Sequence, residues 1–363
     1  MPTIKAAVCR EFGKPLTIEQ LQLDEPGADE IMVDIKACAI CHSDISYAEG
    51  IWGGALPAVY GHEAAGIVSG VGPGVTDLAP GDHVVITLIR FCGHCRYCDR
   101  GQAITCEEVF PRDANGPITD AEGSLVFQAL RTGAFADKAV VHRSQAVKVP
   151  ADISFPVASL LACGVITGFG AVSNTARVGA GESVAVIGCG GVGLNSIQGA
   201  RVAGAEPIVA LDIDDGKLEA ARRFGATHTV NPASSDATAA ISELTGGRGI
   251  DHVFVTVGAK KAFDGAIPWL GRSGQLVVVG MPPSGVMAEY DPGTLAGLNQ
   301  RVLGSKMGEA TIARDIPALV ELYRSGELLL DELVTATYPL EEINEAIAGV
   351  NHGKALRNVI LFD

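Results

Sequence analysis

Two regimes of hydrophobic patterning divide the chain. Up to about residue 149, short β-branched runs such as 31–37, 66–71 and 83–88 are punctuated by Gly, Pro and Asp, which reads as an all-β region. Gly81-Asp82 has the character of a tight turn entering one of these strands. Residues 110–133, with Pro111, Asn115, Gly116, Pro117 and Gly123, lack periodicity and read as a loop. A returning strand at 133–141, an edge at 147–150 and a helix at 156–162 follow. From Ser183 the period changes. Continuous apolar strands at 183–187, 207–211, 252–257 and 275–279, with a short one at 228–230, alternate with helices at 194–203, 217–224, 237–244 and 261–270. That alternation predicts a doubly wound parallel sheet of six strands, closing near Leu303. The tail, with helices at 316–325 and 340–350 and a strand at 358–361, is expected to rejoin the first region.

The expected domains are 1–164 with 307–363, and 165–306, with the active site in the cleft between them. At 363 residues and 47% hydrophobic, the chain can bury two cores. Its formal charge of -15 argues against nucleic acid as a partner. The first ten residues show no leader pattern and no uninterrupted apolar run approaches a membrane span, so a cytoplasmic protein without membrane contact is expected. Nine cysteines divide into six at metal-ligand spacing and three scattered ones, Cys9, Cys38 and Cys189. A reducing compartment suits that division.

Cys92, Cys95 and Cys98 recur at intervals of three and Cys106 follows a short loop later. Four thiolates can close around one tetrahedral ion with no position left open, the mark of a structural site; zinc and an iron–sulfur cluster both fit that set. His94 is surplus to it. Cys41-His42-Ser43-Asp44, Gly61-His62-Glu63 and the distant Cys163 offer two thiolates and an imidazole. Around Zn²⁺ that shell is near neutral and keeps a fourth position for a substrate oxygen. Gly188-Cys-Gly190-Gly191-Val192-Gly193 sits between a strand and a helix, with Asp212 nineteen residues after its last glycine. The glycines let a pyrophosphate approach the helix N-terminus, and Asp212 suits the ribose hydroxyls, although it could instead cap the next helix. With Asp214 and Asp215 it would repel a 2′-phosphate, which favours NAD over NADP.

These motifs resemble the zinc-dependent medium-chain alcohol dehydrogenases over essentially the whole length. The resemblance implies an α/β protein: a GroES-like, mostly-β catalytic domain plus a Rossmann cofactor domain. It makes Cys41, His62 and Cys163 ligands of a catalytic zinc and Cys92, Cys95, Cys98 and Cys106 ligands of a structural one. Asp44 would orient the zinc-binding His, and Glu63 would lie behind the metal beside Arg357, itself a pyrophosphate contact with His42. Thr167, Val192 and Val257 would line the nicotinamide, with Met281 near them, and Lys217 would touch the adenosine ribose. The implied reaction is hydride transfer from an alcohol to NAD, with Ser43 relaying the hydroxyl proton.

Two departures stand out. Ser46 occupies the place where many relatives end the proton relay in a His, leaving exit to water or to another base such as His42. Trp52 and Phe110 stand where glutathione-dependent formaldehyde dehydrogenases carry charged residues. With Leu88 and Met281 they would form an apolar pocket for aryl, allylic or longer aliphatic primary alcohols; the alternative is that Trp52 is a packed loop residue. Alternatives are a glutathione-dependent formaldehyde dehydrogenase, a polyol dehydrogenase and a non-catalytic NAD(H) redox sensor. Relatives pair cofactor-domain sheets edge to edge, so a homodimer or homotetramer through 301–304 is expected. Lys306 has no assigned role.

Overall fold

The β-branched runs of the first region pair antiparallel, as their alternation requires. In the computed structural model, which describes residues 1–353 and 355–363, Glu30–Ala39 pairs with Glu63–Val71 on one side and with Arg357–Leu361 and Lys138–His142 on the other. His83–Ile86 and Ala146–Lys148 extend this sheet at one edge and Val334–Pro339 at the other. A second set, Thr3–Cys9, Thr17–Leu23, Ile118–Thr119, Leu125–Gln128 and Ala58–Val59, closes into a barrel.

Two expectations are corrected here. Residues 110–133 are not a loop: they supply two barrel strands, Ile118–Thr119 pairing with Gln22 and Leu23. Strands of two and four residues carry too little alternation to register as a period. The region is also not all β, because His42–Ala48 is a helix. Cys41 precedes it in an extended conformation, and the Asp44 carboxylate accepts the Cys41 N–H at 3.3 Å, closing the first turn.

The helix expected at 156–162 runs from Phe155 to Ala176 and is π-helical at Leu161–Val165 and Ala171–Ala176. Its glycines do not end it because they serve packing: a Cβ on Gly168 would lie 2.2 Å from the Val192 carbonyl oxygen. By length and composition this helix could cross a membrane, contrary to the expectation that no run approaches a span. Its most apolar window is 83% buried in the protein, so it is a core helix.

The six-stranded parallel sheet runs in the order His228–Val230, Ile208–Leu211, Val184–Ile187, Ile250–Val255, Leu270–Val278, Arg301–Gly304. The central Val184–Ile187 is buried on both faces, which explains its unbroken apolar sequence. Arg301–Gly304 is an edge strand, with Val302 43% exposed.

The chain divides into two units, Met1–Cys163 with Thr311–Ser325 and Leu330–Asp363, and Gly164–Ala310 with Gly326–Leu329. The second crossing falls after Ala310 rather than at 306/307, since Thr167 Oγ1 meets Met307 Sδ at 3.6 Å and Asn174 Nδ2 donates to the Gly308 carbonyl. Gln198 holds Leu329 through both backbone groups, which keeps 326–329 in the second unit.

Candidate metal centres and cofactor loop

In the first unit, Asp44 organises a buried cluster. Its Oδ1 accepts the Gly61 N–H at 2.9 Å and faces His62 Nδ1 at 2.9 Å. The hydrogen bond directs His62 Nε2 away from Asp44. That nitrogen is buried and has no hydrogen-bond partner among the described residues. Cys41 Sγ, a His62 ring nitrogen, Cys163 Sγ and a Glu63 carboxylate oxygen all lie within 4.8 Å of one another, and all four residues are buried. Cys163 reaches the group from the Leu161–Val165 π-helical turn, a widened geometry frequent at functional sites.

The charges in this cluster are mutually adjusted. A hydrogen bond from Cys163 holds the Cys41 thiol well below its ordinary range, and that bond together with burial pushes Cys163 up. Burial alone would lower the His62 imidazolium, but Asp44 and Cys41 outweigh it and hold its pKa well up. A divalent cation held at Nε2 would take the place of that proton. Burial raises the Glu63 carboxyl to about 8, against the pull of Arg357, whose Nη1 lies 3.3 Å from Oε1. Two thiols and an orphaned imidazole nitrogen fit a zinc ion, with Glu63 drawn toward Arg357.

The four-cysteine lobe shows a second donor set. Its sulfurs stand 3.5 Å (Cys95–Cys98), 3.6 Å (Cys106–Cys92), 3.9 Å (Cys95–Cys106) and 4.0 Å (Cys92–Cys98) apart. A tetrahedron of sulfurs about 2.3 Å from a central zinc has edges of about 3.8 Å, so these positions fit one ion without rearrangement. Backbone N–H groups of Cys98 and Glu107 pull the Cys95 thiol down to about 6.

In the second unit, the glycine loop enters the Gly191–Val202 helix. A Cβ on Gly193 would lie 1.8 Å from the Gly188 carbonyl oxygen, so only glycine permits this approach of helix to strand. A Cβ on Gly190 meets nothing within 4 Å, which leaves backbone facing open space where a phosphate can approach. Asp212 Oδ2 accepts the Cys189 N–H at 2.7 Å and Oδ1 accepts the Asp214 N–H at 3.0 Å. The cap of the next helix is Asp214, which accepts the Lys217 N–H, so Asp212 is not that cap. Val257 packs on Gly188, the Met281 backbone on Gly258, and the Thr167 helix on the Val192 turn.

Other residues singled out in the sequence stand differently. Ser43 and Ser46 are half-buried on the His42–Ala48 helix, and His42 is exposed. Lys306 is exposed and Met281 is 64% exposed. Trp52 meets Tyr47 edge-on at 5.1 Å. Phe110 meets His142 at 4.9 Å and lies under the Arg90 guanidinium at 4.2 Å. Leu88 is half-buried. The ring contacts of Trp52 and Phe110 are thus made with different partners. Buried Arg90, paired with Asp113, went unnoticed in the sequence because a single Arg in a loop carries no pattern.

Residues 27–151 match the alcohol dehydrogenase GroES-like domain, and residues 191–325 match the zinc-binding dehydrogenases. The NDMA-dependent alcohol dehydrogenase of Amycolatopsis methanolica is 37% identical over 371 residues, which cover 98% of this chain and 98% of that protein. An alcohol dehydrogenase zinc-binding domain protein from Burkholderia ambifaria matches in structure with a TM-score of 0.95 at 36% identity, over 100% of this chain and 99% of that one. Benzyl alcohol dehydrogenase from Acinetobacter calcoaceticus gives 0.93 at 34% identity over 100% of both chains. By sequence over its whole length and by both of its domains, the chain belongs to the zinc-dependent medium-chain alcohol dehydrogenases, oxidoreductases that take an alcohol to its carbonyl product.

Proposed function

We propose that the protein oxidises primary alcohols of aryl, allylic or longer aliphatic type to aldehydes, and runs the reverse reaction, with NAD as hydride acceptor and two zinc ions per chain. The observation that carries the reading is the convergence of Cys41, Cys163 and a ring nitrogen of His62 within 4.8 Å, with Nε2 of that ring buried and orphaned. Zinc there supplies Lewis acidity toward a substrate oxygen, and NAD supplies the hydride acceptor. Asp44 orients His62, and Glu63 stays with Arg357. Ser43 Oγ accepts the hydroxyl proton and passes it on; Ser46 cannot hold it as an imidazole would, so the proton leaves through water or His42. The second zinc sits on Cys92, Cys95, Cys98 and Cys106 as a staple.

NAD binds along the 188–193 loop. Asp212 takes the adenosine ribose with Lys217 beside it, Thr167, Val192, Val257 and Met281 line the nicotinamide end, and Arg357 and His42 contact the pyrophosphate. Trp52, Leu88 and Phe110 form the apolar substrate wall. The likeness to a benzyl alcohol dehydrogenase supports an aryl substrate. The exposed edge strand Arg301–Gly304 supports pairing of cofactor sheets between copies, as a homodimer or homotetramer. Nine cysteines outside any disulfide support a cytoplasmic setting.

The test is NAD⁺ reduction with benzyl, cinnamyl, hexyl and ethyl alcohols and with formaldehyde plus glutathione, alongside a zinc count. Turnover of the bulky alcohols with two zincs per chain supports the reading. Preference for the glutathione adduct overturns the apolar wall.

A further inference from the structure

The four-cysteine lobe carries a second set of donors on its exposed side. Cys92 Sγ, a ring nitrogen of His94 and a carboxylate oxygen of Glu108 lie within 4.8 Å of one another, with His94 and Glu108 exposed and Cys92 half-buried. The set arises from two chain arms of the same form: His94 follows Cys92 by two residues, and Glu108 follows Cys106 by two. The Cys92 N–H donates to Cys106 Sγ at 3.3 Å, which lays the arms side by side. Gly93 turns between Cys92 and His94 at φ +81°, in the left-handed region that favours glycine. Neighbouring Glu107 is taken by Arg96 at 3.4 Å. Among the described residues, by contrast, the side chains of His94 and Glu108 have no hydrogen bond or ion pair.

We propose that Cys92, His94 and Glu108 form an entry site through which a zinc-class divalent cation reaches and leaves the four-cysteine set, with Cys92 as the ligand common to both. The entry set requires one thiol to ionise, that of Cys92, whereas the closed set needs four thiolates. One thiolate, one carboxylate and one neutral imidazole around a divalent cation sum to zero charge, and the three donors leave a position for water. The ion at the rim is therefore held and labile. Transfer inward keeps the bond to Cys92 Sγ. Cys95, Cys98 and Cys106 replace His94, Glu108 and the water, and each thiol that ionises releases its proton to solvent. Release runs the same steps backward. The inference rests on the four-cysteine lobe holding zinc.

The test is exchange of bound zinc for an isotopically labelled zinc salt, read by mass spectrometry on the full-length holoprotein. A parallel series in a Cys163→Ser background isolates the four-cysteine ion. His94→Ala and Glu108→Gln are expected to slow exchange at that site on the order of tenfold, while equilibrium zinc content and alcohol oxidation stay as in the parent. His94→Cys, which restores a donor, should recover the rate. Full loading with an unchanged exchange rate in the His94→Ala/Glu108→Gln double variant overturns the entry site alone. Loss of equilibrium zinc in the variants also overturns it, by making the two residues permanent ligands. A parent protein with no metal on the four cysteines overturns the structural-site reading, and the entry site with it.

Discussion

Asp44 Oδ1 lies 2.9 Å from His62 Nδ1 and also accepts the Gly61 N–H, so one carboxylate fixes both the ring and the backbone that presents it. Its other oxygen accepts the Cys41 N–H, so the same side chain positions two of the three zinc donors. Asp44→Asn retains the shape and loses the charge. Catalytic zinc affinity and turnover are expected to fall on the order of 10–100-fold, while the four-cysteine zinc stays. Metal titration against a competing chelator checks this; unchanged affinity would show that the carboxylate does not tune the imidazole.

Cys163→Ser removes a ligand that comes from a helix rather than from the strands. The variant is expected to carry one zinc per chain, to lose alcohol oxidation, and to bind NADH as the parent does, because the glycine loop belongs to the other unit. Metal analysis and NADH fluorescence separate these outcomes. A variant retaining both zincs would remove Cys163 from the ligand set.

Much of this arrangement was legible because metal and nucleotide sites constrain residue type more than position. Cys41, His62 and Cys163 stand far apart in sequence, yet two thiols and an imidazole in a chain that also carries a glycine-loop motif mark one chemistry. The parallel sheet was legible for a different reason: Val184–Ile187 is buried on both faces and so is apolar throughout. The barrel strand Ile118–Thr119 was not, since two residues show no period and pairing with Gln22 and Leu23 defines it. Nor was the continuation of the Phe155–Ala176 helix through its glycines, because the reason lies in the helix packed against Gly168. Phe110 keeps its place in the proposed substrate wall, but its contacts with Arg90 and His142 come from tertiary packing that sequence spacing does not encode.

Arg112 shows what that misread segment contributes to stability. Its guanidinium donates to Glu30 through Nε, at 3.1 and 3.2 Å, and to Asp24 through Nη1 at 2.5 Å. Glu30 is only 8% exposed, so truncating its partner leaves a buried carboxylate poorly compensated. Arg112→Ala is expected to cost about 1–3 kcal/mol. Urea unfolding checks this, and Arg112→Lys should fall between, since an ammonium cannot reproduce the planar fork.

Asp212 ties the cofactor loop to the strand end through two backbone N–H groups, those of Cys189 and Asp214. Each carboxylate oxygen accepts one of these bonds and retains a lone pair, which is where ribose hydroxyls can be received. The negative charge serves a separate purpose, because it is what disfavours a 2′-phosphate. Asp212→Asn should therefore separate the two. It keeps an acceptor, so KM for NAD is expected to rise about 10–100-fold as a charge-assisted bond is lost. It also removes the repulsion, so kcat/KM with NADP should rise relative to NAD. Zinc content and kcat at saturating NAD should stay near the parent, because Asp212 touches neither donor set. Steady-state kinetics with both cofactors decide the matter: an unchanged NAD/NADP ratio would mean that the selectivity lies elsewhere, with Asp214 and Asp215 the next residues to neutralise.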